Sequence, residues 1–253
     1  MPDLTVLIPC RNNRAYLEAL IPTCSWADAV FVVDSFSEDG SGEAAVSLGA
    51  QVLQHEYENS SRQKNRALDL IRTEWVFQID TDEAMESGLE NEILAVIANA
   101  GSEISAFRLP RKNHYGPHWL RHGGLYPDYQ TRLLRTKRCR WSEREVHAQV
   151  IVDGEIGTLR GHIIHHGMPG IAKQLSNLDR YTNYERDEWL KTGKAIAPHR
   201  LLWHPPLVFA YRAFWRGGIR DGWRGVVLAM YAAFYDMVRI AKLLEHTDDH
   251  PTP

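Results

Sequence analysis

Over the first hundred residues, short apolar runs alternate with segments of helical period. Residues 4–9, 29–34, 51–55 and 75–80 read as strands, and 13–24, 42–48, 60–72 and 85–100 as helices. Apolar runs of this length separated by helices predict βαβ units, hence an α/β domain with a mainly parallel sheet flanked by helices on both faces. Ligands of such sheets bind at the carboxyl ends of the strands. Three of those ends carry polar groups: Pro9-Cys10-Arg11-Asn12-Asn13, Asp34-Ser35 and Asp80-Thr81-Asp82. From about 104 to 167 the texture becomes antiparallel, with strands expected over 104–109, 130–134, 146–152 and 158–165. A loop rich in Gly, Pro and aromatics lies among them, from Asn113 to Asp128. It suits either a platform for flat hydroxylated ligands or a packed loop whose small core is Trp119 and Tyr126. Residues 171–191 read as a charged helix and 198–244 as a helical tail. The expected division is a catalytic domain over 1–168, with halves 1–100 and 101–168, and a C-terminal helical extension over 169–253.

The run Trp75-Val-Phe-Gln-Ile-Asp-Thr-Asp-Glu83 ends an apolar strand in two aspartates one residue apart. In an extended chain residues i and i+2 point the same way, so Asp80 and Asp82 can meet one object. Two converging carboxylates suit a hard divalent cation whose remaining positions go to phosphate oxygens; a solvated turn is the plainer alternative. Asp34 ends another apolar strand, where an acidic residue can bind ribose hydroxyls. The glycine-rich loop of dinucleotide-binding folds is missing after the first strand, which removes a nicotinamide cofactor. Arg62, Lys64 and Arg66 open the third helix, where cations oppose the helix dipole. Either a nearby anion or a solvated basic face accounts for them.

Composition changes this picture little. The 253-residue chain is 44% hydrophobic and 24% charged, with net charge −3, a balance that does not favour nucleic-acid binding. Its three cysteines, Cys10, Cys24 and Cys139, lack CxxC spacing and fit a reduced, cytoplasmic setting. The first residues show no signal-peptide pattern, and Asp236 and Arg239 interrupt the C-terminal apolar stretch before it could span a bilayer. The tail carries one unusual feature. Arg212, Arg216, Arg220 and Arg224 recur every four residues among Trp203, Phe209, Tyr211, Phe214, Trp215 and Trp223. That basic, aromatic-flanked stripe suits peripheral contact with an anionic membrane, with a helix break expected at Gly217-Gly218 and ordinary packing over 226–244.

Four stretches taken together are specific: Leu-Ile-Pro-Cys-Arg-Asn-Asn, Val-Val-Asp-Ser-Phe-Ser-Glu-Asp-Gly-Ser, Arg-Gln-Lys-Asn-Arg-Ala-Leu and Gln-Ile-Asp-Thr-Asp-Glu. Their order and spacing over residues 4–83 resemble the family 2 glycosyltransferases of GT-A fold. Residues 125–135, the stretch from Trp141 to His147, and Arg-Asp-Gly-Trp-Arg-Gly at 220–225 resemble the branch containing lipopolysaccharide-core β-1,4-glucosyltransferases. The resemblance implies an inverting, metal-dependent transferase. It would move a sugar, glucose in that branch, from a nucleotide-diphosphate donor to a saccharide or lipid-linked acceptor. Pro9, Arg11, Asn13, Asp34, Arg62, Lys64 and Asp80 would bind the nucleotide-sugar. Asp80 and Asp82 would match the family's DxD and hold Mn2+ or Mg2+, and Asp128, Arg132 and His147 would face the acceptor.

An inverting transfer also needs a base within reach of the acceptor hydroxyl. Related enzymes often carry it in Val-His-Glu, but here the stretch reads Glu143-Arg144-Glu145-Val146-His147-Ala148. With alanine at the glutamate position, Glu145 and Glu143 become the candidate bases and Asp128 a third. His162, His165 and His166 admit a second metal site, a place in the acceptor cleft, or plain packing. Rival functions are transfer to a protein or another polysaccharide, nucleotidyl transfer, and sugar binding without catalysis.

Overall fold

The structure is a computed structural model and describes residues 3–143, 149–168, 170–193 and 196–249. The chain divides into two compact units: residues 1–111 with 129–166, and residues 112–128 with 167–253.

The first unit begins with the alternation the hydrophobic pattern predicts. Its elements are β1 (Leu4–Cys10), α1 (Arg14–Leu20), β2 (Ala29–Asp34), α2 (Ser41–Ser47), β3 (Gln51–Gln54), α3 (Ser60–Leu70) and β4 (Trp75–Gln78). β5 (Glu83–Met85), α4 (Leu89–Asn99) and β6 (Ile104–Tyr115) follow. After the short β7 (His118–Trp119), which belongs to the second unit, come β8 (Asp128–Arg135), β9 (Cys139–Trp141), β10 (Val150–Val152), β11 (Glu155–Thr158) and β12 (Ile163–His165). The main sheet runs β3-β2-β1-β4-β8-β6-β12-β5, with β7 and β11 also pairing β6. β1 is parallel to β2 and β4, and β2 to β3; β8 is antiparallel to β4, and β12 to β5.

Strand alternation divides the core between the two faces of the sheet. Leu4, Val6 and Ile8 pack with Trp75, Phe77 and Ile79 against α1 and α4, while Leu7, Val33 and Val76 pack with Ala67 and Leu68 of α3. Each residue fully removed from water contributes roughly 1.5–3 kcal/mol, so the sheet is fixed from both sides and its polar strand ends are held in place.

Local expectations are refined at four places. The helix read over 85–100 starts only at Leu89, because residues 83–85 pair with β12. The strand read over 158–165 is two strands, β11 and β12, and of the one read over 146–152 only Val150–Val152 is strand among the described residues. The loop at 113–128 is a packed one: Trp119 and Tyr126 meet edge-to-face at 5.1 Å, with the Arg121 guanidinium 4.3 Å above the Trp119 ring.

The second unit is helical: α5 (Ile171–Leu190), α6 (Arg200–Ala210), a π turn over Tyr211–Trp215, a 3-10 turn over Gly218–Asp221, and α7 (Trp223–Asp249). The break falls at Gly217 and Gly218. Gly217 takes φ +70, and a side chain on Gly225 would strike the Gly218 carbonyl, so two backbones cross where only glycine fits. No described helix is long and apolar enough to cross a membrane.

Candidate active site

β4 leaves the core through Gln78 and Ile79, and the chain turns at Asp80, where the Glu83 amide donates to the Asp80 carbonyl at 3.0 Å. β5 then pairs with β12 in a register that sets His165 opposite Glu83. The His166 amide donates to the Asp82 carbonyl at 2.9 Å, and His165 Nε2 lies 3.5 Å from Asp82 Oδ2. A strand about 80 residues downstream thus delivers an imidazole to the second aspartate of the pair.

Beneath Asp80 lies a buried ion cluster centred on Arg132 of β8. Arg132 Nη2 donates to Asp80 Oδ2 at 2.9 Å and to Glu83 Oε1 at 2.6 Å, and Nη1 donates to Gln78 Oε1. Gln78 Nε2 donates to Asp80 Oδ1, and Arg111 Nη1 donates to Glu83 Oε1 at 3.2 Å. The Glu83 side chain is fully buried. Its other oxygen accepts from the Asp80 amide at 3.0 Å, so Asp80 is clamped by side chain and backbone together. Burial opposes ionisation of Asp80, but the Arg132 guanidinium and the Lys64 ammonium outweigh it and hold its carboxyl at about 2. Burial also disfavours the Arg132 charge, which Glu83 and Asp80 more than offset. Lys64 is pulled down to about 8 by burial, against the opposing effect of Asp80, and its ammonium sits 5.0 Å from the centre of the Trp141 ring.

At the adjoining ends of β1 and β2 a cavity of about 270 Å³ is lined by Pro9, Cys10, Arg11, Ser35, Tyr57 and Gln63. Gln63 Nε2 donates to Ser35 Oγ at 2.6 Å and to the Val33 carbonyl at 3.1 Å, fixing the rim. Asp34 is fully buried behind this edge. Both its oxygens accept from the Ser37 amide at 3.2 Å, and Oδ1 also accepts from the Ser37 hydroxyl. Asn12, at φ 53, and Asn13 tie the two loops together through the Ser37 and Ser41 hydroxyls at 2.8 and 3.0 Å.

The predicted site residues therefore separate. Asp80, Asp82, Lys64 and Arg132 belong to one neighbourhood, with Arg132 turned inward to carboxylates rather than displayed to an acceptor. Pro9 and Arg11 line the β1–β2 cavity; Asn13 and Asp34 brace its loops. Arg62 points elsewhere: it pairs with Glu58 at 2.6 Å and lies 3.7 Å from Glu143. Those three residues line another cavity together with His55, Asn65, Arg66 and Asp69. Glu143 is 73% exposed in its side chain. Asp128 accepts from Asn113 Nδ2 at 3.0 Å within the second unit. Glu145, His147 and Ala148 lie outside the described residues. Sequence reasoning missed Gln78, Glu83, Arg111, Tyr57 and Gln63, and it did not single out His165 from its neighbouring histidines.

The residues present fit a divalent cation of the expected kind. Asp82 offers a carboxylate and His165 an imidazole nitrogen, both partly open to solvent. Among the described residues no three His, Cys, Asp or Glu side chains gather as a closed metal cage. An ion there would complete its shell from phosphate oxygens or water, as Mg2+ and Mn2+ do in nucleotide sites.

The sheet order, with carboxylates at the β4 exit, describes a GT-A-like architecture, and comparison with known proteins agrees. The family model for Glycosyl transferase family 2 matches residues 5–151, and the chain belongs to that family. It is 26% identical over 250 residues to the lipopolysaccharide core biosynthesis glycosyltransferase LpsC of Rhizobium meliloti (strain 1021), covering 96% of this chain and 92% of the relative. An uncharacterized glycosyltransferase of Rickettsia bellii (strain RML369-C) is 25% identical over 264 residues, covering 96% and 86%. Among solved structures, mannosyl-3-phosphoglycerate synthase from Rubrobacter xylanophilus shares the fold at a TM-score of 0.51, with 15% identity and 77% of each chain covered. S. aureus TarS 1–349 does so at 0.50, with 14% identity and 98% and 92% covered. The fold is GT-A, with a C-terminal helical region.

Proposed function

We propose that this glycosyltransferase is inverting and divalent-metal-dependent, and that it moves a hexose from a nucleotide-diphosphate donor to a saccharide acceptor. The carrying observation is the convergence of Asp82 and His165 at 3.5 Å beside an Asp80 clamped by Arg132 and Glu83. In this reading Asp82 and His165 hold the cation, and the imidazole in the donor set favours Mn2+ over Mg2+, a cation that prefers oxygen ligands. When bound, such an ion supplies positive charge where the leaving diphosphate develops negative charge. Pro9, Arg11, Ser35, Tyr57 and Gln63 receive the nucleoside, while Asp34 and Asn13 hold the loops that shape its cavity. Lys64 offers a partly desolvated ammonium to the phosphates.

The transfer is one displacement. The acceptor oxygen bonds to the anomeric carbon, the bond from that carbon to the diphosphate breaks, and a carboxylate takes the hydroxyl proton. Glu145 and Glu143 are the proposed bases. Similarity to LpsC along nearly the whole chain supports an acceptor of lipopolysaccharide-core type, and the family resemblance supports glucose as the sugar; UDP is the nucleotide proposed to carry it. In this reading the acceptor is lipid-linked and is met at the inner face of the cytoplasmic membrane. Calorimetry with a panel of nucleotide-sugars, with and without Mn2+, tests the donor half. We expect metal-dependent binding of one donor and loss of transfer in Asp82→Asn. Full transfer by Asp82→Asn, or binding of no nucleotide-sugar, would overturn it.

A further inference from the structure

The segment from α6 through the π turn presents an apolar face that the sugar-transfer reading does not use. Trp203, Leu207, Tyr211 and Trp215 follow one another at four-residue spacing, and Phe214 stands beside the last. All five are exposed, Trp215 at 83% and Phe214 at 62%, while Pro205 and Ala213 on the other side are buried. The π turn helps to keep this face continuous. The Arg216 amide reaches back five residues to the Tyr211 carbonyl at 2.7 Å, and the wider turn leaves Tyr211 and Trp215 on one side. Leu207, Tyr211, Phe214 and Trp215 line a shallow apolar hollow of about 480 Å³.

Charge tells what covers this face. Between residues 200 and 224 stand five arginines and a single acidic residue, Asp221, in a chain whose net charge is −3. Asp221 is itself occupied: the His122 amide donates to it at 2.8 Å, and His122 Nδ1 lies 2.8 Å from its other oxygen. Arg216 and Arg220 are exposed beside the aromatic stripe. The Gly123 amide donates to the Arg216 carbonyl at 2.9 Å, and Arg212 Nη1 donates to the Gly123 carbonyl at 3.3 Å, so the segment is tied down. A second copy of the chain would set the same arginines against themselves across a two-fold interface. An anionic lipid surface meets both parts of the pattern, with headgroups for the guanidiniums and the acyl boundary for Trp, Tyr, Phe and Leu.

We infer that the face formed by Trp203, Leu207, Tyr211, Phe214 and Trp215, with the exposed Arg216 and Arg220, docks the protein onto an anionic bilayer. This deepens the lipid-linked-acceptor reading and rests on it for its biological setting. The test needs neither donor nor acceptor, so each can fail without the other.

The experiment is co-sedimentation of the purified full-length protein with vesicles of phosphatidylcholine alone, or of phosphatidylcholine with phosphatidylglycerol, at low and high salt. We expect binding to the anionic vesicles only, released as salt rises. Each arginine near the surface contributes about fivefold, so Arg216→Gln with Arg220→Gln should weaken binding about 25-fold. Phe214→Ser with Trp215→Ser should weaken it independently, and both pairs, being exposed, should keep the wild-type melting temperature. The proposal is overturned by equal binding to neutral vesicles, by no binding, or by arginine variants that bind as wild type. A dimer that Phe214→Ser with Trp215→Ser converts to monomer would overturn it too, by assigning the face to a second copy.

Discussion

Replacing Arg132 by methionine removes a cation that touches Asp80, Glu83 and Gln78 together, while keeping most of the side-chain volume. Arg132 is 5% exposed and the Glu83 side chain is fully buried, so the change strands a carboxylate rather than freeing a solvated one. Breaking a buried pair from one side costs about 3–5 kcal/mol. Glu83 keeps its contacts with Arg111 and the Asp80 amide, which puts the expected loss near the lower end, at about 3 kcal/mol. For a chain of this size each kcal/mol moves the melting temperature by about 2–4 °C, so Arg132→Met should melt roughly 6–12 °C lower. Urea denaturation followed by tryptophan fluorescence measures the loss directly. Glu83→Gln and the double variant complete a cycle whose coupling should exceed about 1 kcal/mol for groups in contact. Acid supplies a second readout. Asp80 has a depressed folded-state pKa, so its stabilising contribution is present above the ordinary carboxylate range and is lost as pH falls toward about 2. Arg132→Met should weaken that dependence. A loss under about 1 kcal/mol with strict additivity would refute the claim that these residues form one coupled cluster.

Four further outcomes follow from the same structure. Exchanging His165 for alanine should weaken Mn2+ binding in the presence of UDP by roughly tenfold or more, the scale that losing even an outer-sphere partner costs a metal site; unchanged affinity in calorimetry would remove His165 from the donor set. Because folded Lys64 loses its proton near pH 8, affinity for a nucleoside diphosphate should be greatest below about 8 and fall as pH rises through it. Lys64→Met should show a flat profile. The same depressed pKa lowers stability at neutral pH, and the deficit should lift between about 8 and 10.5 in the wild type but not in Lys64→Met. Gly225→Ala, whose new methyl would meet the Gly218 carbonyl, should destabilise the helical unit by about 1–3 kcal/mol in thermal unfolding; wild-type stability there would mean that the backbone crossing is looser than the structure shows.

How much of this was legible in the sequence depends on whether the information is local. The strands ending at Cys10, Asp34 and Gln78 were readable because each apolar run is bounded by polar residues and buried on both faces. The break at Gly217 and Gly218 was readable because two glycines interrupt a helical pattern. β5 was not, since three residues beginning with Glu83 look like the first turn of the helix that follows. Its strand character comes from Ile163–His165, a partner no local pattern announces. The same pairing decides His165. Strand alternation shows that His165 and His166 face opposite ways, but only the register with Glu83 shows which of them meets Asp82.

Arg62 and Lys64 carry the same lesson in a form the sequence could have yielded. Residues i and i+2 on a helix do not share a face, so the two cations were never able to serve one anion together. The structure turns Lys64 inward toward Asp80 and Trp141, and Arg62 outward to Glu58 and Glu143. Periodicity therefore separates one buried phosphate candidate from one surface ion pair, where composition alone reads both as a single basic patch. Arg132 is the converse case. Nothing local marks an arginine between Thr131 and Leu133 as buried, because the carboxylates that make its burial tolerable lie 52 and 49 residues away in the chain. A charged residue at an inward strand position without a local partner is thus better read as one end of an ion pair whose other end must be sought at a neighbouring strand's exit. In this fold that search leads from β8 to the end of β4, where Asp80 and Asp82 stand.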